Sequence, residues 1–381
     1  MEKVIRLEGR IDGVNGSKVE KEIFAQLDDS VTKVIFDAEK LNYISSMGLR
    51  IVLRAKKQFG DVSVINAQPE VYDIFEITGY TSFMPITKAL REISIEGCEK
   101  IGEGFFGSVY RLDDETVVKV YNIPDAMKMI KRETELAKKA FMWGVPTAIS
   151  YDIVKVGDKF GAVYELLHAK SIKDLIKSEK SLKAFCKKSV ETLRQIHSIE
   201  VSNQELPSRR EQVIEMIYDS KEFLQHQLMD KLVRIIATIP ESETVLHSDF
   251  HIKNVMMQGD ELLLIDMETL SRGHPIFEFA AMHSAYIAFA CVNKNNTMEF
   301  LGIPLELSEK IFNLIFEGYY SDKTPEERED MLKKISVISY LKVLSTRAVY
   351  GDKMNPLIMQ DIQYSVNYLE KMMNQLDTLY Y

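Results

Sequence analysis

Residues 245–257 read VLHSDFHIKNVMM, and residues 261–270 follow them with ELLLIDMETL. The first stretch spaces its polar residues as HxDxHxxN, and these are His247, Asp249, His251 and Asn254. The second stretch is a run of apolar residues that predicts a buried strand ending at Asp266. Glu268 lies two positions further on, so the two acidic side chains share a face if the strand continues.

These polar residues match the chemical needs of phosphoryl transfer. The reaction requires a carboxylate that orients the attacking hydroxyl and accepts its proton, which suits Asp249. It also requires oxygen ligands for Mg²⁺, and we predict Asn254, Asp266 and Glu268 in that role. The simpler interpretation is that such residues cap or turn a loop and that His247 only holds it in place. The order of the further segments below favours the catalytic interpretation.

A glycine-rich segment lies upstream, at residues 101–112, where IGEGFFGSVYRL contains the pattern GxGxxGxV. Glycines at this spacing let a backbone turn tightly and approach phosphate oxygens without a side-chain clash. The motif is weak alone, because three glycines at this spacing also arise by chance. We assign nucleotide contacts to Gly102, Gly104, Gly107 and Val109.

The strand that follows, TVVKVY at residues 116–121, is apolar except for Lys119. A lysine in a buried strand needs an anionic partner, since an unpaired buried charge costs several kcal/mol. Kinase-like enzymes supply nucleotide phosphates and a helix glutamate as partners. A helix is predicted from about Asp125 to Trp143, and within it Glu133 is the preferred partner and Glu135 the second. The alternative is that both are solvated surface carboxylates.

Two more strands are predicted at residues 149–156 and 160–166, with a hairpin turn at Gly157 and Asp158. Residues 164–167 then fall where kinases connect their two lobes, and a backbone there would hydrogen-bond an adenine. Glu165 and Leu167 are assigned to this contact. The expected cofactors are therefore ATP and Mg²⁺.

HSDFHIKN resembles the HGDxHxxN signature of the aminoglycoside phosphotransferase and choline kinase group, and IDMETLSRGHPIFEFAAMH is similar to the segment that follows it there. Ser248 replaces a glycine of that pattern, and Glu278 stands where the group has aspartate. The resemblance covers about residues 102–283. It implies an α+β protein-kinase-like bilobal domain at residues 96–381, with a small β-rich N-lobe at about 96–167 and a large helical C-lobe at about 168–381.

The same resemblance implies transfer of the ATP γ-phosphate to a hydroxyl of a small molecule. The length of one segment also favours a small-molecule acceptor. Only a tight loop fits between Asp266 and Pro275, whereas protein kinases need a long activation segment to seat a peptide. The C-terminal helices must then form the acceptor pocket. Their aromatic residues could form a cage for a quaternary amine or could be core. These residues are Tyr286, Phe289, Tyr319, Tyr320, Tyr340 and Tyr350.

Residues 1–95 alternate short apolar runs with helical patterns, which predicts a small α/β domain. EGRIDGVNGSKVEKEI at residues 8–23 and VIFDAEKLNYISSMGLRIVL at residues 34–53 resemble the STAS domain of anti-sigma-factor antagonists. The resemblance implies a protein partner and a phosphorylated serine at the start of the second helix, which falls on Ser46. Antagonists often have aspartate just before that serine, and here Ser45 stands there. The alternative is that Ser45 or Ser46 is only a helix N-cap.

The formal net charge of −9 argues against nucleic acid as a partner. No run approaches the ~18 apolar residues of a membrane span, and the three cysteines show no disulfide or zinc spacing, so a cytoplasmic protein is expected. Besides a small-molecule kinase with a fused STAS module, two functions stay open. One is a signalling kinase that phosphorylates Ser46 in cis or in trans, and the other is a non-catalytic nucleotide sensor.

Overall fold

A computed structural model describes residues 1–28, 30–104, 107–123 and 126–380, apart from the side chain of Lys170. The chain divides into two compact units, Met1–Ser94 with Ile153–Phe160, and Ile95–Asp152 with Gly161–Tyr381. Segment 153–160 falls in the first unit because Arg91 and Glu92 pair in parallel with Val154 and Lys155. Separate clusters of buried apolar residues form the cores of the two units.

The first unit is a small parallel sheet with helices as its connections. Its elements are β1 (Glu2–Ile11), α1 (Gly16–Phe24), β2 (Lys33–Ile44), α2 (Ser46–Phe59), β3 (Asp61–Ala67), α3 (Pro69–Ile77), β4 (Ile86–Lys88) and β5 (Arg91–Glu92). Strands β1 to β4 are neighbours in chain order, and each pair runs parallel. Parallel neighbours need long crossover connections, and the three helices supply them.

Helix α2 packs closely on the sheet, and Gly48 makes this possible. A Cβ at Gly48 would lie 2.5 Å from Cγ1 of Ile44 and 3.0 Å from Cγ2 of Ile11, so a larger residue would push the helix outward. Leu49 and Val52 of the same helix are buried against the sheet. The helix predicted from residue 16 to 27 ends earlier, at Phe24, a difference within the usual spread of helix ends.

The second unit begins with a sheet and one long helix. In chain order the elements here are β6 (Lys100–Glu103), β7 (Gly107–Arg111), β8 (Thr116–Tyr121), α4 (Ala126–Met142), β9 (Ser150–Val156) and β10 (Lys159–Glu165), of which residues 153–160 are counted with the first unit. Strands β10, β8, β7 and β6 are neighbours in that order, and the pairs from β10 to β6 are antiparallel. The start predicted for α4, Asp125, lies outside the described residues.

The rest of the second unit is mainly helical. Its elements are β11 (Lys170–Ser171), α5 (Ile172–Leu175), α6 (Glu179–His197), α7 (Arg209–Asp219), α8 (His226–Ile236), β12 (Val245–Leu246), β13 (Val255–Gln258), β14 (Glu261–Leu264), β15 (Ser271–Arg272), α9 (Ile276–Tyr286), α10 (Asn296–Phe300), α11 (Leu305–Tyr319), α12 (Pro325–Tyr350) and α13 (Pro356–Met373). Every residue of α9 is buried, because this helix packs against both α11 and α12. Thr324 and Glu327 close a capping box that begins α12, and Pro325 occupies its first turn.

Short strands position the segment quoted first above. Strand β12 pairs with β15, and β13 pairs with β14 in a hairpin, so the loop 247–254 is held at both ends. The backbone N–H of Leu264, at the end of β14, donates to the carbonyl of Pro146. These pairings place Asp249 and Asp266 on neighbouring loops of one small scaffold.

Candidate active site

Lys119 and Glu133 form a buried ion pair. Lys119 Nζ lies 2.9 Å from Oε1 and 3.1 Å from Oε2 of Glu133, which is 3% exposed. Two tyrosine hydroxyls also donate to this carboxylate, Tyr121 at 2.6 Å and Tyr164 at 3.1 Å. Burial disfavours the ammonium form, but the charges of Glu133 and Asp266 outweigh it and raise the pKa of Lys119. Glu135 instead pairs with Lys139 at the surface, at 3.2 Å.

The two tyrosines were not assigned from sequence, although Tyr121 carried a signal. It lies two residues after Lys119 on β8, and alternate residues of a strand share a face. Burial, and then the charge of Glu133, raise the pKa of both Tyr121 and Tyr164, so both stay protonated donors. The Glu133 carboxylate is therefore fixed in position by the ammonium of Lys119 and by two hydroxyl donors.

Asp266 and Glu268 join this pair in a cluster of carboxylates. Lys119 Nζ lies 3.7 Å from Oδ1 of Asp266, and ligand atoms of Glu133, Asp266 and Glu268 lie within 4.8 Å of one another. Oδ1 of Asp266 is buried without a hydrogen-bond partner. Burial, and then the charge of Asp266, raise the pKa of Glu268 to about 7. Crowded carboxylates with a free oxygen fit a divalent cation, which would relieve their repulsion.

The expected reason for this proximity was wrong. Asp266 has a left-handed backbone, with φ of 68°, and Met267–Thr269 form a single 3₁₀ turn. The strand therefore does not continue, and a tight turn rather than strand alternation brings Glu268 beside Asp266. Such a φ is uncommon for a residue other than glycine and is found at functional sites more often than elsewhere.

Asp249 lies at the centre of the loop 247–254 and has three side-chain partners. Asn254 Nδ2 donates to Oδ2 at 2.9 Å, His251 Nε2 lies 3.2 Å from the same oxygen, and Lys342 Nζ lies 3.5 Å from Oδ1. Burial opposes ionisation, but His251 and then Lys342 hold the pKa of Asp249 well below its usual range. Asn254 uses its amide nitrogen on Asp249, so its amide oxygen is the atom that a metal would use.

Glu278 anchors the backbone of this loop. It is fully buried and accepts hydrogen bonds from the N–H of His247 at 2.7 Å and of Ser248 at 3.0 Å. Burial opposes its charge, but His197, His247 and the N–H of Ser248 outweigh it and lower the pKa of Glu278. The longer glutamate thus supplies the loop anchor directly.

Ser248, which stands where the resembled signature has glycine, has a left-handed backbone, since its φ is 65°. This conformation explains why glycine suits the position. Here the serine hydroxyl lies 2.7 Å from that of Ser271, a contact that helps a side chain to be tolerated. His247 has a structural place, with Nε2 3.2 Å from the carbonyl oxygen of Ile265.

The glycine-rich segment lies at strands β6 and β7. Gly107 is buried, and a Cβ there would overlap the carbonyl oxygen of Val120, so strand packing requires this glycine. Gly104 donates its N–H to the carbonyl of Gly107 at 2.8 Å, and residues 105 and 106 lie outside the described residues. Gly102 lies opposite Val109 across β6 and β7. Gly102, Gly107 and Val109 thus lie on the two paired strands, and Gly104 directly follows β6.

In the linker, the N–H of Glu165 donates to Ile149 O at 2.9 Å, and the N–H of Leu166 to Glu115 O at 2.7 Å. Leu167 is the next residue, and within the described part of the chain its N–H has no such partner. A base bound here would therefore find a donor at Leu167, whereas Glu165 offers only its carbonyl.

The predicted aromatic residues of the C-terminal helices do not face one cage. Tyr286 is fully buried and its hydroxyl accepts from the N–H of Ile252 at 3.0 Å, whereas Tyr350 is 68% exposed. Tyr319 lies with its hydroxyl 2.8 Å from Nδ1 of His197. These contacts are those of core and surface residues.

Two cations near Asp249 were missed from sequence, Lys342 on α12 and Arg209 at the start of α7. Lys342 interrupts the apolar sequence VISYLKVL, the same kind of signal that identified Lys119. Arg209 has no comparable signal in its polar surroundings.

A model described as the phosphotransferase enzyme family matches residues 97–292, more than half of the chain. The chain belongs to this family. The phosphotransferase also carries a STAS domain, whose family model matches residues 2–93. A relative named as an anti-sigma factor antagonist, BtrV of Bordetella bronchiseptica, is 36% identical over 87 residues, which are 22% of this chain and 75% of the relative.

Solved structures show the fold of the phosphotransferase unit. The streptomycin–ATP–APH(2″)-IIa ternary complex aligns with a TM-score of 0.50 and 16% identity over 72% of this chain and 93% of that chain. Amicoumacin kinase hAmiN, in complex with AMP-PNP, Ca²⁺ and Ami, aligns with a TM-score of 0.50 and 13% identity over 81% and 95%. The predicted fold class, a STAS domain followed by a bilobal kinase-like domain, is confirmed. Among the described residues, no helix has the length and apolar character needed to cross a bilayer.

Ser46 is the first residue of α2 in the STAS domain and is exposed. Ser45 is the N-cap, and its hydroxyl oxygen accepts from the N–H of Met47 at 3.2 Å. The capping role therefore falls on Ser45. Within the described residues the Ser46 hydroxyl has no hydrogen-bond partner.

Proposed function

We propose that this phosphotransferase transfers the γ-phosphate of Mg·ATP to a hydroxyl of a small molecule. The main support for this proposal is the position of Lys119. Its Nζ lies 2.9 Å from Oε1 of Glu133 and 3.7 Å from Oδ1 of Asp266, as is expected of a phosphate-binding lysine. The backbone also connects the two carboxylate loops, because the N–H of Ile265 donates to the carbonyl of Asn254 at 3.0 Å. We further propose that the working division of the chain is residues 1–95 and 96–381.

Asp266, Glu268 and the amide oxygen of Asn254 would hold Mg²⁺, which supplies neutralisation of phosphate charge when it is bound. Lys119 would contact the same phosphates, and the glycine hairpin would cover them. In the reaction the acceptor oxygen bonds to the γ-phosphorus, the bond from that phosphorus to the bridging oxygen breaks, and ADP leaves.

Asp249 would receive the hydroxyl proton. Because its pKa is far below the usual range, it is a weak base and stays ionised. It would therefore act mainly by orienting the hydroxyl and would take the proton late, once the forming phosphorus–oxygen bond has made that proton acidic. Catalysis of this kind rests on positioning and charge neutralisation.

A coupled nucleotide-turnover assay with Mg·ATP and a panel of hydroxyl compounds tests the proposal. Asp249→Asn should retain nucleotide affinity and lose turnover by about 10²–10⁴-fold. Asp266→Asn should weaken Mg-dependent nucleotide binding. Asp260→Asn, an exposed aspartate on the turn between β13 and β14, is the matched control and should behave as wild type. Full turnover in Asp249→Asn, or unchanged Mg·ATP affinity in Asp266→Asn, would contradict the assigned roles.

A second candidate function concerns the STAS domain, which would bind a protein partner and be switched by phosphorylation of Ser46. Its support is that Ser46 is exposed at the N-terminus of α2 while Ser45 takes the cap. A phosphate there would meet free N–H groups and the positive end of the helix dipole. It would add roughly −1.5 to −2 charge to the binding surface.

Intact-mass analysis after incubation with Mg·ATP tests whether the chain phosphorylates itself. One added phosphate that is lost in Ser46→Ala and kept in Ser45→Ala would support phosphorylation in cis or between copies. An unmodified chain that still phosphorylates a small acceptor would restrict this unit to small molecules.

A further inference from the structure

Arg209 is a buried cation without a neutralising partner in contact. It is 8% exposed, and its guanidinium donates to the neutral amide oxygen of Gln212 at 2.9 Å. Its Nε is buried with no hydrogen-bond partner. Within the described part of the chain, no carboxylate lies at ion-pair distance from it. Because a buried unpaired charge is costly, such a group is retained where a ligand supplies the opposite charge.

Arg209 lines a small cavity together with Lys342. Six apolar residues from α7, α9 and α12 form the rest of its wall, among them Val213, Phe277 and Ile338. The two charged residues of the lining are both positive. The space is on the order of one water molecule in size, which is the size of a single oxygen of a carboxylate or phosphate.

Lys342 both lines the cavity and contacts the reaction centre. Its Nζ lies 3.5 Å from Oδ1 of Asp249, the oxygen that neither Asn254 nor His251 uses. A group held by Lys342 and Arg209 would therefore lie close to the hydroxyl that Asp249 orients. Burial lowers the pKa of both cations although the charges of Asp249 and Glu278 act in the opposite direction, so an anion held at the cavity would favour the charged form of both.

We propose that Arg209 and Lys342 form an anion-recognising subsite, and that the phosphate acceptor of this enzyme carries an acidic group near its reactive hydroxyl. This inference rests on the proposed function and names its substrate class: a hydroxy acid or a phosphorylated alcohol. A cationic amino alcohol or aminoglycoside would instead place positive charge against two buried cations. Arginine also suits the role chemically, because its planar fork binds carboxylate and phosphate oxygens in pairs.

The test uses the full-length protein and acceptors in matched pairs. Glycerate, 4-hydroxybutyrate and homoserine are compared with glycerol, butane-1,4-diol and homoserine amide, and glycerol 3-phosphate forms a separate arm. Amino alcohols such as choline and ethanolamine form the cationic arm. We expect turnover of the carboxylate compounds or of glycerol 3-phosphate. Which of the two is turned over shows whether the subsite binds a carboxylate or a phosphate. Mg·ATP affinity is measured separately, so that loss of nucleotide binding is recognised as failure of the proposed function.

Substitutions then test whether Arg209 causes the preference for acidic acceptors. Arg209→Gln should raise KM for the acidic acceptor about 10- to 100-fold, the value of a lost charge-assisted hydrogen bond, and leave Mg·ATP affinity unchanged. Arg209→Lys should recover part of the loss. Lys333→Gln, an exposed lysine on α12 that pairs with Glu329, is the matched control and should leave KM unchanged.

Three results would overturn the inference. The first is faster turnover of cationic or neutral acceptors than of acidic ones, and the second is an equal rise in KM for an acid and its neutral analogue in Arg209→Gln. The third is no turnover of any acidic acceptor while Mg·ATP still binds. Thermal unfolding of each variant shows whether the fold is intact. If Arg209→Gln does not fold, the acid-to-neutral preference of the wild-type protein decides the question by itself.

Discussion

Replacing Lys119 with methionine tests whether the Lys119–Glu133 pair is a buried unit or a surface contact. The side chains of Lys119 and Glu133 are 16% and 4% exposed. Methionine keeps most of the side-chain length but leaves the carboxylate with only the hydroxyls of Tyr121 and Tyr164 as donors. An uncompensated buried charge of this kind costs about 3–5 kcal/mol of unfolding free energy.

The matched comparison is Lys139→Met on α4, the helix that carries Glu133. Lys139 pairs with Glu135, and the two side chains are 32% and 66% exposed. A solvated pair four residues apart on a helix contributes less than about 1 kcal/mol. The expected difference between the two variants is therefore about 2–5 kcal/mol.

The assay is guanidinium unfolding in the absence of nucleotide, followed by tryptophan fluorescence. Trp143 is the single tryptophan of the chain and packs against the core of the second unit, so its signal reports that unit. The double variant Lys119→Met with Glu133→Gln should recover about 2–3 kcal/mol relative to additivity, because it removes the orphaned charge. A cost below about 1 kcal/mol for Lys119→Met, equal to that of Lys139→Met, would refute the reasoning.

Three further outcomes are expected. Glu278→Asp, which installs the aspartate of the signature that this segment resembles, should destabilise the second unit by about 1.5–3 kcal/mol, since the shorter carboxylate loses the N–H of His247 or of Ser248. Thermal unfolding measures this loss. Ser248→Ala should be less stable than Ser248→Gly by about 1 kcal/mol, because φ of 65° favours glycine and alanine has no hydroxyl for Ser271; denaturant unfolding measures this. His283→Asn should flatten the loss of stability on acidification, as measured by unfolding free energies between pH 7 and pH 4.

The sign of the histidine effect follows from proton binding. Burial lowers the pKa of His283 to about 4, whereas its ordinary value is 6.5. Between these values the unfolded chain binds a proton that the folded chain does not, so stability is full above pH 6.5 and falls as pH falls toward 4. The loss is at most about 3 kcal/mol. A variant with the wild-type slope would contradict this assignment, as would Ser248→Ala at the stability of Ser248→Gly or Glu278→Asp at that of wild type.

Much of this molecule follows from local sequence. An order that indicates a kinase-like phosphotransferase is visible in the sequence: the glycine hairpin, the strand with Lys119, the loop at 247–254 and a strand leading to Asp266. Each is recognisable because residue spacing and strand or helix periodicity are properties of short segments. The STAS domain was predicted in the same way, from two continuous segments.

Only tertiary structure decided how these segments act on one another. Whether Glu133 or Glu135 faces Lys119 depends on the rotation of α4 against the sheet, and the two tyrosines that hold Glu133 come from two strands. Asp266 and Glu268 are close because of a left-handed turn that no strand pattern predicts. Lys342 lies 3.5 Å from Asp249 although the two are far apart in sequence. Such contacts arise from the packing of distant helices, and packing is set by the whole core rather than by any segment.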